Sequence, residues 1–155
     1  MKKHFIIGLF FAGAIVVSCK QNNSIPGPIS ETDPAQYGIP FSNVPDRQDA
    51  SIYQLNIRAF SSQGNFSCVI ARLDSIKAMG VNVIYLMPIC PIGTVNSSNS
   101  PYCVKDYKAV NTEFGTLSDL RALVDGVHKR NMSIMLDWVA NDSARDNAWI
   151  NNHKD

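Results

Sequence analysis

The side chains best suited to binding or catalysis lie in one stretch, from Ser100 to Asn141. A Tyr-x-x-x-Asp-Tyr loop begins at Tyr102 and includes Asp106, and an apolar run farther along the chain ends in Asp137. Carboxylate and amide groups that stand beside aromatic rings at the end of a buried strand are typical of the site of an α/β barrel. The pattern predicts a binding site for a small polar ligand.

The charge balance narrows the class of ligand. The chain has 14 basic and 13 acidic residues, which are interspersed and give a net charge of +1. This distribution excludes the basic face that nucleic-acid binding requires, and it favours a small neutral partner over a polyanion. The spacing of Cys and His matches no zinc site.

The elements that must position these side chains follow a β-α-β-α-β order. The composition predicts strands over residues 52–59, 81–87 and 133–139, with a helix capped by Ser67 and ended by Gly80, and a second helix capped by the box Thr116–Asp119. A long loop over residues 88–115 joins the second strand to the second helix, and long ordered loops tend to be functional. A doubly wound sheet and a β/α barrel both satisfy this order, although no glycine-rich phosphate turn follows any strand.

The N-terminus predicts export. Residues 1–18 have a basic start and an apolar run too short to span a bilayer, and Val16-Val17-Ser18-Cys19 resembles a bacterial lipobox. We therefore expect a lipoprotein signal over 1–18, lipidation at Cys19, a Pro/Ser/Asn-rich tether over 19–50 and a folded domain over 51–155. The predicted location is a bacterial membrane, at the cell surface or in the periplasm. An ordinary secretory signal is the alternative.

Three further cysteines stand in the predicted domain. Cys68 falls in a helix, where a small buried apolar residue is the simplest interpretation. Cys90 and Cys103 bracket one loop, and their pairing as a disulfide stays an open but disfavoured alternative because sequence does not give their separation.

The segments LMPI, SPYCVKDYKAVNTEFGT and LDWVAN resemble the N-terminal part of the glycoside hydrolase family that contains the α-amylases. The resemblance runs from Ile52 to Trp149, and it is strongest to surface-anchored bacterial enzymes of that family. It implies a fold class of α/β, with three βα-type units from the N-terminus of a (β/α)8 barrel, an incomplete one. It also implies a family activity in which α-linked glucosides are cleaved or transferred with retention.

The same resemblance implies roles for individual residues. Tyr102 matches a tyrosine that stacks on the sugar next to the scissile bond, and Asp106 and Asp137 match motif aspartates at the substrate site. Asn141 matches an asparagine that ligates calcium or orders a loop in many members, which makes Ca²⁺ a weak cofactor prediction. Asp142 stands where the family usually has a histidine donor, so sugar binding there should be weakened.

For some of these residues a purely structural role is the alternative to ligand binding. Asp137 is expected chiefly to hold the strand end by accepting hydrogen bonds from loop amides, and Trp138 is expected to pack against the barrel or a helix. Tyr102 is the reverse case, since a tyrosine in a polar loop has little core to fill, and ligand contact is favoured.

The expected function is that of the N-terminal segment of a retaining glycosidase for starch-like α-glucans or malto-oligosaccharides. The chain is expected to stop before the catalytic carboxylates, to contain no catalytic residue and to be inactive alone. The first alternative is a non-catalytic glucan-binding lipoprotein of the cell surface that uses Tyr102 and Trp138 as sugar platforms. A small βαβ domain with an unrelated activity is a third, weaker possibility.

Overall fold

The structure, a computed structural model, describes residues 37–152. The predicted signal, the lipidation site Cys19 and the first part of the predicted tether lie outside the described residues. Over 37–152 the structure contains no helix of the length and apolarity that a membrane crossing requires.

Three parallel strands form one sheet in the order β1-β2-β3. The strands are β1, Ile52–Leu55, β2, Val83–Leu86, and β3, Ser133–Leu136. Each strand joins the next through helices, which gives the predicted β-α-β-α-β order.

The first strand is shorter than the sequence predicted, because a helical turn replaces its second half. The turn is α1, Ile57–Phe60. The backbone N–H of Met87 donates to the Leu55 carbonyl at 3.0 Å, and beyond Leu55 the Ala59 N–H donates back to the Asn56 carbonyl at 3.1 Å, which coils the chain into α1.

The first predicted helix is two short helices, α2, Phe66–Ile70, and α3, Leu73–Ala78. Its predicted cap was wrong by two residues. The Asn65 side chain, and not that of Ser67, accepts from the Cys68 N–H at 3.1 Å. The helix starts earlier because Phe66 inserts fully into the core at its first position.

The second helix is α4, Leu117–Lys129, and its predicted capping box is confirmed. The Thr116 N–H donates to the Asp119 carboxylate at 2.7 Å, and the Asp119 N–H donates to the Thr116 hydroxyl at 3.2 Å. Asn131 and Gly80 take the left-handed conformations expected after their helices, with φ of 55° and 84°. A last short helix, α5, spans Ala148–Asn152.

The core lies between the helices and one face of the sheet. It contains Leu55, Phe66, Val69, Leu73, Ile84, Leu86, Leu123, Val127 and Met132, all buried. Because side chains alternate along a strand, Gln54, Tyr85 and Met135 share the opposite face, where the register aligns them side by side. This second face carries the polar residues that lead to the site.

The third strand was expected to be buried along its whole length, but its carboxyl-terminal half is exposed. Met135 and Leu136 are 42% and 51% exposed. The reason is that β3 is an edge strand of this sheet and pairs with β2 alone. An open edge of this kind is what an incomplete barrel would present.

Residues 41–50 also contact the folded unit. The Phe41 ring stacks on His128 at a centroid distance of 4.4 Å, and the Asn43 amide donates to the Asn131 side chain at 2.8 Å. A single 3₁₀ turn, Arg47–Asp49, leads into β1.

Candidate functional site

The candidate site lies beyond the carboxyl ends of β2 and β3. The Tyr102 hydroxyl donates to the Asp137 carboxylate at 2.8 Å, which joins a loop residue to the first residue after β3. Asp137 is itself held in place by its N–H, which donates to the Leu86 carbonyl at 2.9 Å. The Tyr102 side chain keeps 38% of its surface exposed. Its ring is therefore anchored at the hydroxyl and open to a ligand.

A second tyrosine reaches the same carboxylate from within the sheet. Tyr85 lies on the face of β2 that Asp137 extends on β3. Burial raises the pKa of Tyr85, and the nearby Asp137 carboxylate raises it further. For Tyr102 the hydrogen bond to Asp137 is the main cause of a raised pKa. A phenol is neutral at physiological pH even at its ordinary pKa, and both shifts move ionisation farther above that pH.

These contacts correct part of the sequence interpretation of Asp137. Among the described residues the hydrogen bond that the carboxylate accepts comes from the Tyr102 hydroxyl and not from a loop amide. Tyr85 was missed by sequence reasoning. The available signal was a hydroxyl-bearing residue in the otherwise apolar strand VIYL, one position before the end of the strand.

The loop that carries Tyr102 folds back on itself. Ile92 and Val104 form an antiparallel bridge, and the Gly93 N–H donates to the Cys103 carbonyl at 2.9 Å. This pairing places Cys103 opposite Gly93. Cys90 lies three positions before Gly93, or about 10 Å away along a strand, whereas a disulfide requires the two Cα atoms to lie within about 7 Å of each other. Cys68, Cys90 and Cys103 are all free thiols in the structure, so the alternative of a Cys90–Cys103 disulfide was wrong.

Two clusters of contacts hold this loop from either side. On one side the Arg58 guanidinium donates to both carboxylate oxygens of Glu113 at 2.9 and 2.7 Å and to the Asn99 carbonyl at 3.1 Å. The Glu113 carboxylate thereby raises the pKa of Arg58. On the other side Asp146 accepts from the N–H and the hydroxyl of Thr94, each at 3.1 Å. The sequence did not predict that the Asp146 carboxylate would contact this loop.

Neither Asp106 nor Asp142 forms a hydrogen bond with Tyr102 or Asp137 in the structure. Asp106 is exposed and accepts from the N–H of Lys108 at 2.8 Å, which makes a local turn. Asp142 is also exposed, and its contact is through the main chain, since its carbonyl accepts from the Tyr107 hydroxyl at 2.6 Å. Their predicted sugar contacts stay predictions.

The described residues do not fit a calcium site at Asn141. Calcium takes about six to eight oxygen ligands. Within residues 37–152 no three His, Cys, Asp or Glu side chains gather where they would hold a metal ion, and Asn141 is exposed. We assign no step to calcium.

Trp138 does not pack as expected, because it is 78% exposed. It points to the helix side of the sheet, beyond the part that α4 covers, and lines an apolar cleft of about 410 Å³ with Leu120 and Leu136. Trp149 is 54% exposed and stacks on Tyr107 at 5.2 Å.

Comparison with known proteins shows which family this chain resembles. The family model described as "Alpha amylase, catalytic domain" matches residues 29–155. An oligo-1,6-glucosidase of Bacillus sp. (strain F5) is 36% identical over 108 residues, which cover 66% of this chain and 21% of the relative. The alpha-amylase SusG of Bacteroides thetaiotaomicron is 29% identical over an alignment that covers 97% of this chain and 23% of the relative.

Solved structures agree with the sequence relatives. An alpha-amylase from Lactobacillus plantarum superimposes with a TM-score of 0.66 at 41% identity, covering 68% of this chain and 26% of that one. A maltogenic alpha-amylase, AmyB, from Thermotoga neapolitana gives a TM-score of 0.65 at 31% identity, with 69% and 27% covered. The chain spans about a fifth to a quarter of the length of these relatives. The predicted fold class, three βα units from the N-terminus of a (β/α)8 barrel, is confirmed.

Proposed function

Because this chain belongs to the α-amylase catalytic-domain family, we propose that it is the N-terminal, sugar-contacting part of a retaining glycoside hydrolase for α-linked glucans. The observation that carries the proposal is the Tyr102–Asp137 pair, in which a half-open aromatic ring is fixed by a carboxylate at the end of β3.

This pair has the two features that sugar recognition needs. An aromatic face covers the apolar C–H face of a pyranose, and an ionised carboxylate has lone pairs left to accept hydrogen bonds from sugar hydroxyls. The hydrogen bond to Asp137 fixes the Tyr102 ring before the ligand arrives, which lowers the entropy cost of binding.

The substrate class follows from the names of the relatives. They include an oligo-1,6-glucosidase and alpha-amylases, and we propose starch-like α-glucans or malto-oligosaccharides as ligands of this chain. Asp142 is expected to weaken binding in its part of the site, since a carboxylate replaces the histidine donor that the family usually has there.

None of the three candidate aspartates is proposed to be catalytic. Retaining hydrolysis requires two carboxyl groups about 5–5.5 Å apart that act on one glycosidic bond. Asp137 accepts from the Tyr102 hydroxyl, Asp106 accepts a hydrogen bond within its own turn, and Asp142 is exposed. We propose that the chain alone binds glucan without hydrolysing it.

We further propose that the protein is exported and lipid-anchored through Cys19 to a bacterial membrane. The basic start, the apolar run and the Ser18-Cys19 pair support this proposal. Incorporation of a radiolabelled fatty acid that Cys19→Ala abolishes would support it, and equal labelling of both chains would contradict it. The alternative function is a non-catalytic glucan-binding lipoprotein, in which the exposed Trp138 would supply a further sugar platform.

The test of the proposed function is a ligand panel on the full chain. Calorimetric titration should show binding of maltoheptaose, and the β-linked control cellohexaose should not bind. A parallel titration with isomaltoheptaose compares α-1,6 with α-1,4 linkage. The Tyr102→Ala variant should lose most of the maltoheptaose affinity, while a reducing-sugar assay should detect no hydrolysis. Equal binding of the α-linked and β-linked oligomers, or no binding of either, would contradict the proposal.

A further inference from the structure

A second carboxylate, that of Asp146, sits where two loops meet next to the proposed sugar site. The segment after β3 reaches back to both arms of the loop that carries Tyr102. The Asp146 carboxylate accepts from Thr94 on one arm, through its N–H and hydroxyl at 3.1 Å each, and its oxygen lies 3.2 Å from the Lys105 ammonium on the other arm.

Neighbouring main-chain contacts make the junction tight. The Ala144 N–H donates to the Val104 carbonyl at 2.9 Å, and the buried Asn147 amide donates to the same carbonyl at 3.2 Å. A side chain at Gly93 would collide with Ala144 and would approach the Asp146 carboxylate to 2.6 Å. The absence of a side chain at position 93 is therefore a condition for the junction to close.

The junction is directly joined to Tyr102. The residue after Tyr102 is Cys103, whose carbonyl accepts from the Gly93 N–H at 2.9 Å. Asp146 thus contacts Thr94, which follows Gly93, and Lys105, which is the second residue after Cys103. No more than three residues separate its contacts from the ring that meets the ligand.

We propose that Asp146 is a positioning residue that holds Tyr102 against Asp137, so that the aromatic ring is in place to bind an α-glucan. This inference rests on the proposed function of the Tyr102–Asp137 site. Asp146 acts through the loop, by fixing both arms to the segment after β3.

The environment of Asp146 suits this role. Its side chain is only 13% exposed, and the Thr94 N–H is the main cause that lowers its pKa, to about 2. The carboxylate is therefore charged at neutral pH, and its contacts are not lost by titration near neutrality.

The test compares three variants of the full chain with the wild type. Asp146→Ala removes every side-chain contact of the clamp, and Lys105→Met removes only its ion pair. The matched control is Asp74→Ala, which breaks the bidentate pair of Asp74 with Arg130 at 2.7 and 2.8 Å, on the helix side of the molecule.

Two measurements separate positioning from general destabilisation. The first is the maltoheptaose dissociation constant, which should rise about tenfold in Asp146→Ala, about threefold in Lys105→Met and not in the control. The second is the phenol titration of Tyr102, followed by NMR of ¹³C-labelled tyrosine. Its pKa should fall toward the ordinary value in Asp146→Ala, because a loosened loop weakens the hydrogen bond to Asp137.

An unchanged dissociation constant together with an unchanged Tyr102 titration in Asp146→Ala would overturn the inference and leave the proposed function standing. If the wild type binds no maltoheptaose, the proposed function fails, and the sugar-free titration still decides whether Asp146 positions Tyr102. If Asp146→Ala does not fold, Lys105→Met decides by the same two readouts.

Discussion

Replacing Tyr102 by Phe and by Ala separates the two contributions that we propose this residue makes to sugar binding. Phenylalanine keeps the ring and removes the hydroxyl, which donates to Asp137 at 2.8 Å. Alanine removes both the ring and the hydroxyl. The two substitutions therefore differ only in the aromatic face that covers the sugar.

The structure sets the expected size of each effect. A hydrogen bond to a charged group contributes about 1.5–3 kcal/mol when it is shielded from water. Here the Tyr102 side chain is 38% exposed, so solvent weakens the bond. We expect Tyr102→Phe to cost about 1 kcal/mol, or about fivefold in affinity for maltoheptaose. The ring adds its own contact and its buried apolar area, which brings the loss in Tyr102→Ala to about 2 kcal/mol, or roughly thirtyfold.

Calorimetric titration of the full chain with maltoheptaose measures both losses. The matched control is Tyr53→Phe, which makes the same chemical change at a tyrosine that packs against the core on the other face of the sheet. Wild-type affinity is expected in this control. If Tyr102→Ala binds maltoheptaose as tightly as the wild type, the assignment of Tyr102 as a sugar platform is refuted. If Tyr102→Phe loses as much as Tyr102→Ala, the hydroxyl and not the ring supplies the binding energy.

Further measurements test the framework around the site. Thr116→Ala should lower the free energy of unfolding in urea by about 1 kcal/mol by removing the α4 cap, whereas Ser118→Ala should have little effect. Because folding lowers the pKa of Asp146 to about 2 from an unfolded value of about 3.9, its contribution to stability is present above pH 4. That contribution should be lost as the pH falls from about 4 to about 2, and Asp146→Asn should flatten the pH dependence of the urea midpoint in this window. Mass spectrometry without reductant should find Cys90 and Cys103 both alkylated by iodoacetamide, with Cys90 slower because burial raises the pKa of its thiol; a mass two hydrogens lower would instead show a disulfide.

Local signals in the sequence predict which helices and strands form, but they predict the ends of these elements less accurately. The helix α4 was predicted correctly with its capping box, because the box acts between residues three apart in the chain. The strand that begins at Ile52 was predicted four residues too long. The chain leaves the sheet after Leu55, where the Ala59 N–H donates back to the Asn56 carbonyl and the helical turn α1 begins, and the strand-like composition of IYQLNIRA does not reveal this turn.

The candidate site likewise combines residues that the sequence predicted with contacts that only the structure shows. The sequence by itself predicted Tyr102 and Asp137 as site residues and a β-α-β-α-β order of elements to carry them, and its resemblance to a family favoured the barrel. Only the tertiary structure decided that their side chains meet, that Tyr85 joins them from inside the sheet, and that Asp146 closes the loop over Thr94 and Lys105. The physical reason is range: periodicity and capping act over a few residues, whereas these contacts join groups 35 to 52 residues apart and form only when the parallel strands bring their carboxyl ends together.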